Sequence, residues 1–184
     1  MKKLLTLASI AFCSLQMYAQ GTINFANVAG QEITNRVTSA RIPTASGFVV
    51  GMYYGIAGTA ADSSLVLIGT GNVTPTPGRF VLGTVTTPNT TAPGAACVIQ
   101  IRAWSGGFAN YDLALAAAQV DGVTVTGKSA LFNVTTGNPN PPATTPGSLS
   151  AMAPFTVGLA VPEPSSIALG ILGLGAIAMF RRKK

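Results

Sequence analysis

The stretch Ala95-Ala96-Cys97-Val98-Ile99-Gln100-Ile101-Arg102-Ala103-Trp104 decides the fold. Ile99, Ile101 and Ala103 alternate with Gln100, Arg102 and Trp104. A period of two sorts residues into opposite faces only on an extended strand. One face is then aliphatic, and the other carries an amide, a guanidinium and an indole. The aliphatic face requires a core; the mixed face is left either to solvent or to a helix.

Outward from this stretch the same signal recurs. GFVVGMYYGI (47–56), SLVLIG (64–69), RFVLGTVT (79–86), SALFNVTT (129–136) and PFTVGLA (154–160) read as further strands, and TINFANV (22–28) opens the domain. Between them lie TGNVTPTPG, TPNTTAPG and GNPNPPATTPGSLS. There Pro fixes the backbone torsion and Gly admits positive φ, as turns require. YDLALAAAQ alone has helical character, with Asn110 or Asp112 placed to cap it. No repeat of solenoid or propeller period is present. The pattern predicts a mainly β domain over residues 20–160, an antiparallel β-sandwich of about seven to nine strands with one short helix.

The net charge of +6 is misleading. Lys2 and Lys3 stand at one end, and Arg181, Arg182, Lys183 and Lys184 at the other. The body keeps Arg36, Arg41, Arg79, Arg102 and Lys128 against Glu32, Asp62, Asp112, Asp121 and Glu163, and is neutral. A nucleic-acid partner needs a clustered basic face and is not expected. Charged residues make up only 9% of the chain, so hydroxyls and amides must keep the surface wet. With no histidine, the usual general base and the commonest metal ligand are missing. No catalytic residue, metal or cofactor is expected. Asp62, Asp112 and Asp121 are scattered, and only the fold could bring two of them together as a glycosidase pair or calcium site.

Both ends read as processing segments. MKK, LLTLASIAFCSL and QMYAQG give the charged, apolar and cleavage regions of a signal peptide over residues 1–19. Cleavage is expected after Ala19, with the Sec translocon and signal peptidase as partners. An uncleaved N-terminal anchor is the alternative. Removal of this peptide leaves Cys97 as the remaining cysteine, so no intramolecular disulfide can form. At the other end, Ile167 to Phe180 is an apolar run that would cover roughly 21 Å as a helix, against a bilayer core of about 30 Å. It is a marginal span, held by the basic stop Arg181, Arg182, Lys183 and Lys184.

Val161-Pro162-Glu163-Pro164-Ser165-Ser166, the hydrophobic helix from Ile167 to Phe180 and the terminal Arg/Lys cluster, in that order, resemble the PEP-CTERM sorting signal of Gram-negative bacteria. The resemblance covers residues 161–184. It implies export, transient retention in the inner membrane and processing by an exosortase near Pro162-Glu163-Pro164. It further implies delivery to the envelope surface or extracellular matrix, where such proteins accompany exopolysaccharide and biofilm. More loosely, GTINFAN, IQIRAW and GKSALFNV are similar to segments of small exported verrucomicrobial proteins that carry this tail. A plain C-terminal anchor is the competing reading of the same residues.

Two internal features carry competing readings. GVTVTGKS (122–129) matches the phosphate-loop pattern, but that loop needs a strand before it and a helix after it. Here a helix precedes and a strand follows, and four β-branched residues favour extended backbone. Lys128 is therefore expected to be a solvated strand-edge charge. Trp104 and Tyr111, with Tyr53, Tyr54 and Phe108 nearby, are candidates for stacking on a sugar; core packing is the alternative. The expected function is that of an exported, non-enzymatic envelope or matrix protein. A carbohydrate-binding module using exposed aromatics and a permanently membrane-anchored surface domain are the alternatives.

Overall fold

A computed structural model describes residues 20–44, 47–74 and 76–159. The expectations for residues 1–19, including Ala19, and for the motif, hydrophobic helix and basic stop within residues 160–184 lie outside the described residues. The described chain runs β1 (Thr22–Ala26), β2 (Ile33–Asn35), β3 (Val49–Ile56), a 3-10 turn (Asp62–Ser64), β4 (Val66–Asn72), β5 (Val81–Thr86), β6 (Ala96–Trp104), α1 (Tyr111–Asp121), β7 (Val125–Lys128), β8 (Phe132–Thr135) and β9 (Phe155–Leu159). The domain is mainly β, with one α-helix among the described residues, as the sequence predicts.

Its layers follow from the two faces of β6. This strand lies inside a seven-stranded sheet of order β2-β9-β7-β6-β3-β4, with β8 as the seventh strand, paired to β6 off that path. Cys97, Ile99, Ile101 and Ala103 point to one side and are fully buried with Val50, Met52 and Tyr54 of β3. The small antiparallel sheet β1–β5 and the residues beside it cover that side, contributing Ile23, Phe25, Phe80, Leu82 and Val85. Phe25 and Phe80 meet edge to face with ring centroids 5.2 Å apart. On the opposite side α1 lies over Arg102 and Trp104, and Gln100 is met by Asp62 of the 3-10 turn and by Ser129. The domain thus has a sandwich core and a helical third layer.

β7 and β8 share one edge of β6. Thr126 to Lys128 pair with its C-terminal half and Phe132 to Thr135 with its N-terminal half. Between them Ser129 bridges the gap: its N–H donates to the Ile101 carbonyl at 2.8 Å, and its Oγ accepts from the Ile101 N–H at 3.0 Å.

Among the described strands one pair departs from a purely antiparallel sandwich, β2 running parallel to β9, and an isolated bridge between Ile23 and Gly147 is parallel too. The connection between β8 and β9 is long enough to return the chain in either direction, whereas a tight hairpin would force antiparallel pairing. That connection is held by ladder-like bonds to β1, with Gly137 and Thr22 exchanging N–H···O contacts of 2.8 and 3.0 Å and Gly147 donating to Thr22 at 2.9 Å. The side-chain amide of Gln31 lies 2.9–3.0 Å from the carbonyls of Leu149, Ser150 and Met152, fixing the approach to β9.

The glycine in the phosphate-loop look-alike has a packing role. A Cβ on Gly127 would lie 2.3 Å from the Thr156 carbonyl oxygen and 2.9 Å from the Val157 Cα, both backbone atoms that cannot swing away. Gly127→Ala is expected to separate β7 from β9 and to lower the free energy of unfolding by about 1–3 kcal/mol. Urea denaturation followed by circular dichroism measures this; an unchanged midpoint would contradict the close approach.

Candidate functional site

The helix-covered face of β6 concentrates the domain's polar chemistry. Arg102, only 4% exposed, is packed on both planes and bonded along its edge. Its guanidinium carbon stands 3.9 Å from the Tyr53 ring centroid and 5.2 Å from that of Tyr111. Nε donates to Gln100 Oε1 at 2.7 Å, and one terminal nitrogen donates to the Asp62 carbonyl at 2.8 Å. The other terminal nitrogen is 3.4 Å from the carboxylate of Asp112 at the start of α1. Cation–π contact and hydrogen bonds to a planar cation replace the water that burial removes.

Local structure follows from the sequence around this group. Asn110 accepts from the Leu113 N–H at 2.9 Å, so it is the capping residue, and Gly122 takes the left-handed conformation that ends α1. The Tyr53 hydroxyl accepts from the Tyr111 N–H at 3.0 Å, anchoring the helix start to β3. Burial pushes the Tyr53 phenol above its ordinary range. Gly51 leaves room for Trp104, whose ring would lie 2.9 Å from a Cβ there.

Two open grooves flank α1. One, of about 380 Å³, is lined by Asp62, Leu65, Arg102, Tyr111, Asp112 and Lys128. The other, of about 570 Å³, lies over β7, β9 and the end of β2, with Arg36, Thr126, Lys128, Phe155 and Thr156 in its walls. The first brings Asp62 and Asp112, scattered in sequence, into one cleft. Each faces a cation there: Asp112 meets Arg102, and Asp62 meets Lys128 and also accepts from Gln100 Nε2 at 3.0 Å. The Lys128 contact lowers the Asp62 carboxyl below its ordinary value. Lys128 is therefore an ion-pair partner on the rim of the cleft, which corrects its reading as a merely solvated charge. The third scattered acid, Asp121, caps its own turn through the Val123 and Thr124 N–H groups, each at 2.9 Å. Among the described residues no three of Cys, Asp and Glu converge as a metal site.

The aromatic candidates land differently from an exposed sugar-stacking platform. Trp104 is 0% exposed, and its indole N–H donates to the Phe108 carbonyl at 2.9 Å. It presents no free face to a sugar, because α1 and the Phe108 loop close over the strand. Tyr111 is also buried, meets Trp104 edge to face at 6.3 Å, and reaches both grooves from beneath. The groove residues Arg36, Thr126 and Thr156 carried no sequence signal of their own. The short strand β2 and its parallel partner, which bring them together, are invisible to a search for alternating runs.

The last described strand ends at Leu159, directly before the segment that carries the sorting motif. Residues 160–184 match the PEP-CTERM protein-sorting motif. The chain is thus a PEP-CTERM domain-containing protein, and the motif implies export, sorting to the cell surface and exosortase as the processing partner. Val161, Pro162, Glu163, Pro164, the run from Ile167 to Phe180 and the terminal basic residues all fall within the match. No curated protein and no solved structure matches the chain. Among the described residues no helix is long and apolar enough to cross a membrane.

Arg102→Ala is expected to lower the free energy of unfolding by about 3 kcal/mol, through loss of its charged hydrogen bonds and ring contacts. Asp112→Ala is expected to cost less than about 1 kcal/mol, because its side chain is 76% exposed. Equal losses in parallel urea titrations would place the stabilisation in the ion pair instead of the buried stack.

Proposed function

We propose that the protein is a non-enzymatic component of the cell envelope surface or extracellular matrix that contacts exopolysaccharide once its tail has been processed. The Sec translocon and signal peptidase deliver the body across the inner membrane. The hydrophobic run then holds the precursor there until exosortase acts near Pro162-Glu163-Pro164. The observation carrying this reading is the junction: β9 ends at Leu159, and the sorting match starts at residue 160. All described strands therefore lie on one side of the tail, and the sheet loses none of them when the tail is cut.

The state of the carboxylates supports a non-enzymatic role. Glu32 pairs with Arg41 at 3.3 Å, Asp62 with Lys128, Asp112 with Arg102, and Asp121 holds a turn. A glycosidase needs one carboxyl raised towards neutral pH as the acid. Asp62 is shifted the opposite way. The 570 Å³ groove is the favoured place for a polysaccharide contact, since threonine hydroxyls and the Arg36 guanidinium can bond sugar hydroxyl or carboxyl groups while Phe155 supplies an apolar floor.

In the producing bacterium, the processed protein is expected in the matrix fraction. Blocking exopolysaccharide synthesis should release most of it to the medium, and Thr156→Arg, which fills the groove from an exposed position, should do the same in a polysaccharide-producing strain. Undiminished matrix retention in both cases would remove polysaccharide from this account.

A further inference from the structure

The end of the main sheet from which the tail departs carries a group of exposed aliphatic side chains. Leu159, the last residue of β9, is 49% exposed and pairs with Val125 at the start of β7. Two residues before Val125 stands Val123, 73% exposed, and Val120 in the last turn of α1 is 88% exposed. On the other flank β2 runs parallel to β9 with Asn35 opposite Val157, so the turn that follows β2 projects past the same end. That turn carries Arg36 and Val37, the latter 87% exposed. Packing within the domain accounts for none of these four side chains.

Chain length restricts what can lie against them. Eight residue steps separate Leu159 from Ile167, and a fully extended chain covers at most about 29 Å in that distance. With its apolar run in the bilayer, the precursor cannot lift this end of the domain far from the headgroups. The opposite end of the sheet, with Val66 at the start of β4, is under no such restriction. Arg36 makes no ion pair among the described residues and stands beside Gly158, next to the departing chain. Among the described residues the carboxylate at this end, Asp121, is turned into the Val123–Thr124 backbone. An aliphatic rim beside a guanidinium with no ion-pair partner among the described residues has the make-up of an interfacial contact.

We propose that this end of the sheet is a lipid-docking surface. In the membrane-held precursor Val37, Val120, Val123 and Leu159 rest on the outer leaflet of the inner membrane with Arg36 at the phosphate level. The surface presents the junction after Leu159 to the membrane enzyme at a fixed height. Removal of the tail frees the surface. This inference rests on the reading that the run from Ile167 to Phe180 lies in the membrane before processing.

The test uses the full chain, expressed in a host lacking exosortase so that the precursor accumulates. Cysteines are introduced singly as Val37→Cys, Val123→Cys, Val66→Cys and Leu172→Cys in a Cys13→Ser background. Cys97 is buried with its thiol pushed up to about 11, so it stays unlabelled in the folded protein. Each site carries an environment-sensitive fluorophore, and quenching by nitroxide lipids is measured in isolated inner membranes. Labels at 37 and 123 are expected to be quenched by headgroup-level nitroxides at least about threefold more than the label at 66, an effect abolished at 123 by Val37→Asp together with Leu159→Asp. Strong quenching at 172 with equal, weak quenching at 37, 123 and 66 would overturn docking while leaving the membrane-held tail intact. Absence of quenching at 172 would overturn both. Shielding at 37 and 123 from aqueous quencher without lipid quenching, accompanied by cross-linked dimers, would assign the surface to a second copy and overturn the lipid assignment.

Discussion

A buried guanidinium organises the half of this domain that faces the helix. Arg102 sits on the central strand with its charge removed from water, a state tolerable only when every edge and face of the cation has a partner. Meeting that demand requires the Tyr53 ring from β3, the Asp62 carbonyl from the 3-10 turn, Gln100 from β6 itself, and Tyr111 with Asp112 from α1. Four elements are thereby drawn to one point. The helix is held in register there, together with the Tyr53 hydroxyl bond to the Tyr111 N–H and the packing of Tyr111 and Ala114 beside Trp104, its described buried residues being Tyr111, Ala114 and Ala118. The flanking grooves exist because a helix of 11 residues, tied at its first turn, covers only part of a seven-stranded sheet.

The other half depends on ordinary apolar packing and on careful closure by the C-terminal strand. β9 enters between β2 and β7, so the sheet is incomplete until nearly all of the body has been exported. Gln31 and Asn27 secure that closure with buried amides instead of apolar contacts. Asn27 joins the Gln31 and Gly78 carbonyls to the Phe80 N–H, while Gln31 holds the last loop before β9. Such amides are costly unless fully bonded, and bonded they fix a unique register. No described buried side-chain nitrogen or oxygen lacks a partner.

Much of this architecture was legible from residue pattern, and the exceptions have physical causes. Short β-like runs between turn residues located β1, β3, β4, β5, β6, β8 and β9, with period-two alternation plain in β6 and β9. Asn110 was one of two residues placed to cap the helix, whereas Gly122, which ends it, carried no reading of its own. β2 escaped notice because three residues are too few to show a period. Its parallel pairing with β9 depends on a long connection whose path no local signal specifies. The mixed face of β6 showed that something polar had to be accommodated, but whether water or α1 did so depended on tertiary packing. Trp104 illustrates the limit: its place on the strand was readable, while its complete burial follows from Gly51 and the Phe108 loop, residues distant in pattern from it. The sorting tail was legible outright, since its function lies in a linear motif.

The last described strand ends at Leu159, and the tail that follows is proposed to be a removable address. Intact mass of the protein recovered from the native envelope and medium tests this directly. The expected mass is that of a chain beginning near residue 20 and ending between Leu159 and Ile167, with β9 retained. A mature mass that includes the segment from Ile167 to Lys184 would make the tail a permanent anchor and contradict the account, as would a chain ending before Phe155, which would strip β9 from the sheet.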